Sequence, residues 1–240
     1  MKITTVLFDL DGTLLPMDQD EFTNGYFGLL MAKIAPKGYE PKKTIDAVWA
    51  GTAAMVKNDG AQTNEAAFWN KFAQILGPES LADKPLFNEF YANEFQNAKS
   101  FCGCNPQAAE AVRTMKRAGC QVVLATNPIF PAVGTRTRLR WTGLEPEDFL
   151  LCTTYENCRW CKPNPNYYRE ILDRLNLQAE ECLMVGNDVA DDMAAQELGM
   201  RVFLLTDCLI NREGKDTGAY PHGGFEQLMQ FWAKLWEGSI

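Results

Sequence analysis

Short apolar runs and longer stretches with helical spacing alternate along most of this chain. The apolar runs are rich in β-branched and aliphatic residues, which is typical of buried parallel strands. The predicted strands are Val6–Phe8, Gln121–Ala125, Phe149–Cys152, Cys182–Val185 and Val202–Leu205. The helices predicted among and after the later strands are Pro106–Ala118, Pro131–Trp141, Pro165–Asn176, Ala190–Leu198 and Phe225–Trp236. This alternation predicts an α/β fold with a doubly wound, Rossmann-like parallel sheet and helices on both faces.

The segment between the first two predicted strands carries helical patterns only. Its predicted helices run from the cap residue Asp18 to Ile34, from Lys42 to Lys57 behind Pro41, from Thr63 or Asn64 to Leu76, and from Leu86 to Ala98. Its many aromatic residues are typical of a helical bundle's core, and a few of them are candidates to line a substrate pocket. We therefore predict an all-helical cap, residues 16–100, inserted into a core formed by residues 1–15 and 101–240. An insertion there lies over the carboxyl ends of the strands, where open α/β sheets bind ligands.

Two carboxylates follow the first predicted strand. Asp9 and Asp11 are two residues apart, so both side chains point to the same side of the chain. Gly12 comes next and permits a sharp turn. Carboxylates this close repel each other and need a cation or a shared proton at neutral pH. An ordinary Asp-Gly turn at a strand end is the competing interpretation.

The stretch FDLDGTL, residues 8–14, resembles the first motif of the haloacid dehalogenase-like hydrolase superfamily. Most members of that superfamily are Mg²⁺-dependent phosphatases. The resemblance implies that Asp9 is the nucleophile that attacks phosphorus and becomes an aspartyl-phosphate. It implies that Asp11 protonates the leaving oxygen and later deprotonates the attacking water. A carboxylate nucleophile splits one difficult displacement into two easier ones, and a carboxyl whose pKa is raised by a charged neighbour suits acid–base work.

Two further motifs match the same superfamily. Thr126 directly follows the second strand of the core, where the resemblance implies a hydroxyl that binds a phosphoryl oxygen, with Asn127 beside it as a second substrate contact. Lys162 precedes a proline in a loop before a predicted helix, and the resemblance implies that its ammonium neutralises charge between nucleophile and phosphoryl group. A Thr-Asn-Pro strand exit and a solvated lysine are the alternatives.

The fourth motif is an acidic cluster at a strand-to-helix turn. Mg²⁺ binds hard oxygen ligands and takes few protein carboxylates, together with waters and substrate phosphate. The resemblance implies a site made by Asp9, the backbone carbonyl of Asp11 and one residue of this cluster. The superfamily usually has Asp directly after the glycine, where this chain has Asn187. We predict Asp188 as the principal ligand, with Asn187 as the alternative and Asp192 in support, while helix capping is the competing interpretation.

Composition narrows the partners. The chain has 240 residues, 46% of them hydrophobic, and a formal net charge of −8. The acidic balance argues against nucleic-acid binding and means that local cations and backbone amides must make any phosphate site. No apolar run approaches the roughly 18 residues that cross a bilayer, and Asp9 comes too early for a signal peptide. We expect a cytoplasmic monomer or weak homodimer with no membrane partner.

Three other features invite an interpretation. Cys102 with Cys104 and Cys158 with Cys161 have spacings that evoke zinc sites, but without a secretion signal we favour reduced thiols over zinc or disulfides. His222, the only histidine, is predicted to be an exposed turn residue rather than a substrate contact. The arginines that alternate in the helix after the second strand are predicted to lie on a solvated surface; they are Arg136, Arg138 and Arg140.

These motifs together predict a Mg²⁺-dependent phosphomonoester hydrolase that acts on a small phosphorylated metabolite, with a cap that closes over it and excludes water. A phosphomutase keeps all four motifs and stays open as an alternative, as does a catalytically idle phosphate-binding interaction protein. A dehalogenase needs neither a metal nor an acid at Asp11, so the acidic residues argue against it. The sequence carries no motif that names the ester.

Overall fold

The computed structural model of the protein describes residues 2–238; positions 1, 239 and 240, which the predicted core boundaries include, lie outside the described residues. In this range the centre is a five-stranded parallel sheet with the order β2-β1-β3-β4-β5. The strands are β1 (Thr5–Phe8), β2 (Gln121–Leu124), β3 (Cys182–Gly186), β4 (Arg201–Leu205) and β5 (His222–Gly223). The predicted α/β class with a doubly wound parallel sheet is confirmed.

Eight α-helices occur among the described residues. They are α1 (Gln19–Ile34), α2 (Pro41–Val56), α3 (Asn64–Leu76), α4 (Lys84–Ala92), α5 (Pro106–Arg117), α6 (Ala132–Trp141), α7 (Pro165–Leu175) and α8 (Phe225–Trp236). The buried residues of α5 and α8 pack with one face of the sheet, and those of α7 pack with the other. Both faces of the sheet are therefore covered, which explains why its strands read as nearly continuous apolar runs.

β1 is the strand that positions the site, because it lies between β2 and β3. Its last residue, Phe8, is paired with Leu124 of β2 and with Val185 of β3. Parallel strands in this register end at the same edge of the sheet. The residues that follow β1, β2 and β3 are therefore neighbours in space although they are far apart in sequence.

Helices α1 to α4 form a bundle between β1 and β2 in the sequence. α1 buries Phe22, Tyr26, Leu30 and Ile34, which are spaced four residues apart and lie on one helix face. The ring of Tyr26 is 5.9 Å, centroid to centroid, from that of Phe90 in α4. Most of the aromatic residues of this segment therefore form its core, as the pattern predicts, whereas Trp49 is exposed.

Three predicted elements differ from the structure. The predicted helix Leu86–Ala98 ends early, because Asn93 leaves the helical region at φ −117° and ψ −81° and a 3₁₀ helix over Glu94–Phe101 follows. The segment predicted as a strand over Phe149–Cys152 makes a single bridge, from Cys152 to Leu124 at the end of β2. It lies along the outer side of β2, where a strand has a partner on one side only.

The predicted helix Ala190–Leu198 is a 3₁₀ helix over Met193–Leu198. The residues before it are held in tight turns by side chains, since Asp188 accepts hydrogen bonds from the backbone N–H groups of Ala190 and Asp191 at 2.8 and 3.0 Å. Of the helices in residues 2–238, none combines the length and apolarity needed to span a bilayer.

The first prediction concerns the cap of α1. Asp18 Oδ1 accepts the backbone N–H groups of Asp20 and Glu21 at 3.0 and 2.9 Å. Asp18→Ala should lower the free energy of unfolding by about 1 kcal/mol, because two donors at the helix start lose their acceptor. Urea denaturation measures the loss. Asp20→Ala is the matched control, since it removes one first-turn charge and no cap; equal losses in both variants would show that the cap is not the cause.

Candidate active site

The residues that the sequence singles out line one cavity of about 680 Å³ at the carboxyl edge of the sheet. Asp9 follows β1, Thr126 follows β2 and Asn187 follows β3. Its predicted lining residues are Asp9, Asp11, Thr126, Asn127, Lys162, Asn187, Asp188 and Asp192. Helices α1 to α4 supply the opposite side of the same cavity. The fold thus brings together every side chain that we predicted as a site residue.

Both carboxylate oxygens of Asp9 have a partner. Oδ1 accepts a hydrogen bond from the ammonium of Lys162 at 2.9 Å, and Oδ2 accepts one from the hydroxyl of Thr13 at 3.2 Å. The side chain is buried, so these two contacts fix its orientation at the cavity floor. No role is predicted for Thr13 from the sequence. Its position four residues after Asp9 and directly after Gly12 is the sequence signal that could have indicated a place in the site.

Lys162 lies between two carboxylates. Its ammonium is 2.9 Å from Asp9 Oδ1 and 2.6 Å from Asp192 Oδ1. Burial by itself would lower the pKa of this lysine, but Asp192 and Asp9 outweigh it and hold the pKa well above its usual value. The side chain is buried, so the solvated alternative is wrong. Lys162 is a permanent cation beside the candidate nucleophile.

The two aspartates of the acidic cluster that we predicted as ligands are tied to other groups. Asp192 Oδ1 is paired with Lys162, and its Oδ2 accepts the backbone N–H of Asp188 at 2.9 Å. Burial raises the pKa of Asp192, and the ammonium of Lys162 opposes that rise. Asp188 lines the cavity, but its Oδ1 caps the following turn through Ala190 and Asp191. The capping interpretation therefore describes the Asp188 carboxylate.

Asn187 faces the candidate nucleophile more directly. Its Oδ1 is 2.8 Å from the Thr13 hydroxyl, whose single proton it shares as an acceptor with Asp9 Oδ2 at 3.2 Å. Its Nδ2 donates to the carbonyl of Cys208 at 2.6 Å, which fixes which way the amide points. Gly12 has φ +85°, and a Cβ there would lie 2.3 Å from Asn187 Nδ2. Only glycine permits both this turn and this close approach.

These oxygens fit a divalent cation of the Mg²⁺ type. Residues 2–238 contain no cluster of three or more His, Cys, Asp or Glu side chains with metal-binding geometry, so a cage made of carboxylates alone is not built here. Mg²⁺ does not need one, because it binds through one or two carboxylates and completes its shell with water and substrate phosphate. Asp9 Oδ2 and Asn187 Oδ1 converge on one hydroxyl, which brings a charged and a neutral hard oxygen together.

Asp11 is paired with an arginine that we expected on the surface. The solvated arrangement predicted for α6 holds for Arg136 and Arg140, but it is wrong for Arg138, whose exposed fraction is 0%. The Arg138 guanidinium forms an ion pair with Asp11 Oδ2 and lies 4.0 Å from the ring centroid of Phe130. Residues two apart on a helix point in very different directions, so one arginine of the three faces the core.

The two oxygens of Asp11 differ in their surroundings. Oδ2 is held by Arg138, whereas Oδ1 is buried without a hydrogen-bond partner among the described residues. Burial raises the pKa of the Asp11 carboxyl, and Arg138 opposes that rise. One oxygen is thus fixed and the other remains available to a substrate atom.

Thr126 and Asn127 are held at the exit of β2. The backbone carbonyl of Thr126 accepts hydrogen bonds from Thr153 Oγ1 at 2.7 Å and from the Tyr167 hydroxyl at 2.9 Å. Asn127 Nδ2 donates to Asp191 Oδ2 at 3.1 Å, while its Oδ1 is buried without a partner in residues 2–238. These contacts present the Thr126 side chain to the cavity on a rigid backbone.

The cysteine pairs and the histidine do not line this cavity. In the part of the chain that the structure describes, all eight cysteines are free, and Cys102, Cys104, Cys158 and Cys161 are not gathered into a metal-binding cluster. His222 is exposed, as predicted, and its Nδ1 is 2.8 Å from the carbonyl of Tyr220.

Comparison with known proteins identifies the family. A family model described as haloacid dehalogenase-like hydrolase matches residues 3–199. The chain belongs to the haloacid dehalogenase-like hydrolases and is an enzyme of that class. The resemblance that the first motif indicates is therefore confirmed, and the match extends over most of the chain.

Curated relatives are distant. The chain is 25% identical over 201 residues to pyrophosphatase PpaX from Bacillus cereus, which covers 84% of this chain and 82% of the relative. It is 24% identical over 225 residues to the protein SUPPRESSOR OF QUENCHING 1, chloroplastic, from Arabidopsis thaliana. That match covers 90% of this chain but only 19% of the plant protein.

Solved structures share the fold along nearly the whole chain. A 2-haloacid dehalogenase from Pseudomonas syringae has a TM-score of 0.62 at 21% identity, covering 97% of this chain and 99% of its own. CbbY from Rhodobacter sphaeroides in complex with phosphate has a TM-score of 0.60 at 19% identity, covering 94% and 96%. The putative hydrolase YfnB from Bacillus subtilis, bound to magnesium, has a TM-score of 0.57 at 18% identity, covering 97% and 99%.

The second prediction tests the pair of the buried Arg138 and the half-buried Asp11. Arg138→Met should lower the free energy of unfolding by up to about 3 kcal/mol, because it leaves a half-buried carboxylate without its counter-charge. Thermal or urea denaturation measures the change. Arg136→Met is the matched control on the exposed side of the same helix, and it should cost no more than about 0.5 kcal/mol.

A double variant separates charge from packing in this pair. Arg138→Met combined with Asp11→Leu removes both charges and should recover part of the loss seen in Arg138→Met alone. An ion pair would be contradicted if the double variant lost the sum of the unfolding free energies that the two single substitutions lose. It would also be contradicted if Arg138→Met were as stable as Arg136→Met.

Proposed function

We propose that this enzyme is a Mg²⁺-dependent phosphomonoester hydrolase that works through an aspartyl-phosphate on Asp9. The observation that carries the proposal is the position of Asp9, which is fixed at the cavity floor by Lys162 at 2.9 Å and Thr13 at 3.2 Å. A carboxylate fixed beside a permanent cation suits attack on an anionic phosphoryl group. The ammonium lowers the repulsion that such an attack must overcome.

In the first step a carboxylate oxygen of Asp9 forms a bond to phosphorus and the ester P–O bond breaks. The leaving oxygen takes a proton from Asp11, whose unpartnered Oδ1 is the atom available for it. In the second step Asp11 takes a proton from a water, that water attacks phosphorus, and phosphate leaves with Asp9 restored. The Thr126 hydroxyl and the Asn127 amide hold phosphoryl oxygens during both steps.

Mg²⁺ would be held by Asp9, the backbone carbonyl of Asp11 and Asn187. When bound, the ion supplies positive charge that neutralises the phosphoryl oxygens. We now favour Asn187 over Asp188, because the Asp188 carboxylate caps its own turn while the Asn187 amide oxygen shares a hydroxyl donor with Asp9. Asp192 supports the site through Lys162 rather than as a ligand.

Residues 16–100 are proposed to act as a cap over a core made of residues 1–15 and 101–240. The support is the cavity itself, whose polar floor comes from the strand ends and whose other side comes from α1 to α4. A cap excludes water from the reacting groups. The substrate is a small phosphorylated compound that fits between the two.

The third prediction tests the nucleophile. Asp9→Asn should lower phosphate release from any substrate ester by about 10³-fold or more, because an amide cannot form the aspartyl-phosphate. Rapid quench of the wild-type enzyme with ³²P-labelled ester should trap label on the protein, and the variant should trap none. Asp173→Asn, an exposed Asp on α7, is the control and should keep full activity.

Residual activity of Asp9→Asn above a tenth of wild type would contradict this role for Asp9. Label that appears on a second organic acceptor without free phosphate would leave the role of Asp9 in place but refute the hydrolase, because it would indicate a phosphomutase.

The fourth prediction concerns the ligand after β3. Asn187→Ala should raise the Mg²⁺ concentration for half-saturation about tenfold, and Asn187→Asp should lower it, because a carboxylate binds Mg²⁺ more strongly than an amide. Titration calorimetry with Mg²⁺ and an inert phosphonate measures binding without turnover. Asp188→Ala should cost about 1 kcal/mol of stability through its lost cap and leave the half-saturation nearly unchanged. The reverse order would assign the ion to Asp188.

A further inference from the structure

The cavity has two chemically different ends. Its floor, at the strand ends, contains the carboxylates, the amides and Lys162. Its far side, from the helical segment, presents an aromatic wall that we define by six residues: Phe22, Tyr26, Phe27, Trp49, Phe68 and Trp69. A phosphoryl group bound at the floor would therefore direct the rest of its ester toward this wall.

The aromatic wall brings no positive charge with it. Among the described residues that line the cavity, the only cations are Lys162 and Arg212, and neither belongs to residues 16–100. Lys162 is committed to Asp9 and Asp192 at the floor. Arg212 follows Ile210, whose backbone N–H donates to the carbonyl of Asn187 at 2.8 Å, so it belongs to the core side. The helical side adds the carboxylate of Asp20 and neutral groups.

This charge distribution disfavours a second anionic group on the substrate. A second phosphate or a carboxylate needs charge-assisted donors where it is bound, and the helical side offers none from lysine or arginine within the described lining. An anion placed there would instead meet the aromatic rings, the carboxylate of Asp20 and uncharged polar side chains, which are Gln19, Thr23, Asn24, Thr52 and Asn88. Pyrophosphate, and small phosphate esters that carry a second anionic group, are therefore poor matches to this cavity.

Part of the wall has unfilled apolar surface. Trp49 on α2 is 51% exposed although it lines the cavity, and its ring is 5.5 Å, centroid to centroid, from that of Phe27 on α1. Tyr26 and Trp69 also line the cavity and are buried, and the ring of Tyr26 is 5.1 Å, centroid to centroid, from that of Phe27. An aromatic pair with free faces favours a flat apolar group, which gains both burial and ring contacts.

We propose that the leaving group of this enzyme is an uncharged alcohol that bears an apolar ring, so that the substrates are arylalkyl-type phosphomonoesters. The proposal rests on the proposed phosphatase function and specifies its substrate class. Lys162, Thr126 and Asn127 engage the phosphoryl group, and the aromatic wall engages the ring. The ring, rather than a second charge, determines which ester is bound.

The test compares 2-phenylethyl phosphate with ethyl phosphate. Both are esters of primary alcohols with similar leaving-group basicity, so the chemistry is matched and the ring is the main difference. We expect kcat/KM to be about 10- to 100-fold higher for the phenylethyl ester, in the range that one apolar pocket provides. Pyrophosphate and phosphoglycolate should both have a lower kcat/KM than the phenylethyl ester. Equal kcat/KM values for the phenylethyl and ethyl esters, or a higher kcat/KM for pyrophosphate or phosphoglycolate than for the phenylethyl ester, would overturn the proposal.

Variants locate the effect on the wall. Trp49→Ala and Phe27→Ala should each lower the phenylethyl-to-ethyl ratio by about threefold or more. Leu81→Ala is the matched control, since Leu81 is a 40% exposed apolar residue of the same helical segment that does not line the cavity. The control should keep the ratio of the wild type. A ratio that Trp49→Ala and Phe27→Ala leave unchanged would place the ring elsewhere and overturn the role of the wall.

A binding measurement separates this inference from the proposed reaction. Calorimetry with 2-phenylethylphosphonate and ethylphosphonate, which cannot be hydrolysed, should show the same preference for the ring. Preference without turnover of any ester would refute the phosphatase reaction and keep the ligand class. Turnover of both esters without preference in either measurement would keep the phosphatase and refute the ligand class.

Discussion

The ammonium of Lys162 joins two buried carboxylates, Asp9 at the end of β1 and Asp192 in the turn after β3, at 2.9 and 2.6 Å. A buried carboxylate without a counter-charge costs several kcal/mol, about 3–5 when one partner of a pair is removed. The lysine approaches from the loop before α7, so a single cation fixes three segments that are distant in sequence. The rest of the site is arranged around this contact, because the Thr13 hydroxyl lies within hydrogen-bond distance of both Asp9 and Asn187.

A second buried cation completes the arrangement. Arg138 is supplied by α6 and holds Asp11 in the way that Lys162 holds Asp9. Two buried cations face three carboxylates at this edge. Arg212 adds one positive charge to the cavity lining and Asp188 and Asp191 add two negative ones, so negative charge is in excess. This excess would attract the divalent ion of the proposed reaction in a protein with a net charge of −8. The opposite, helical side contributes aromatic rings, so the ionic groups of the floor and the aromatic surface lie on different sides of the cavity.

Much of this architecture can be predicted from local patterns. The alternation of apolar runs and helical spacing predicts the parallel sheet, and the motifs predict Asp9, Asp11, Thr126 and Lys162 as residues of one site. The sheet forms as predicted, and these residues line one cavity because strand ends in a parallel sheet share an edge, so residues placed after the strands are neighbours. The helix that starts after Asp18 is likewise local, since its cap and its buried face are written within one segment.

Contacts between distant segments are what local patterns miss. The three arginines of α6 look alike in sequence, and nothing near Arg138 indicates that it pairs with Asp11, 127 residues away. The edge segment at Phe149–Cys152 has the composition of a strand. Whether it pairs as a strand depends on how much of the unpaired edge of β2 it can reach. In the same way, the contacts of Asp192 and Lys162 determine how tightly the turn after β3 is closed. The closure of this turn decides whether Asn187 or Asp188 faces Asp9.

The sequence by itself determined the fold class, the order of the four motifs and the chemistry of their side chains, because hydrophobic period and residue type are local properties. Only the tertiary structure decided which side chains touch: the Thr13 hydroxyl shared by Asp9 and Asn187, the pair of Arg138 and Asp11, and the absence of lysine and arginine from the described helical side of the cavity. The physical reason is that burial determines how strongly two charges interact and how much free energy an apolar contact contributes. Burial belongs to the packed molecule as a whole and not to any segment of the chain.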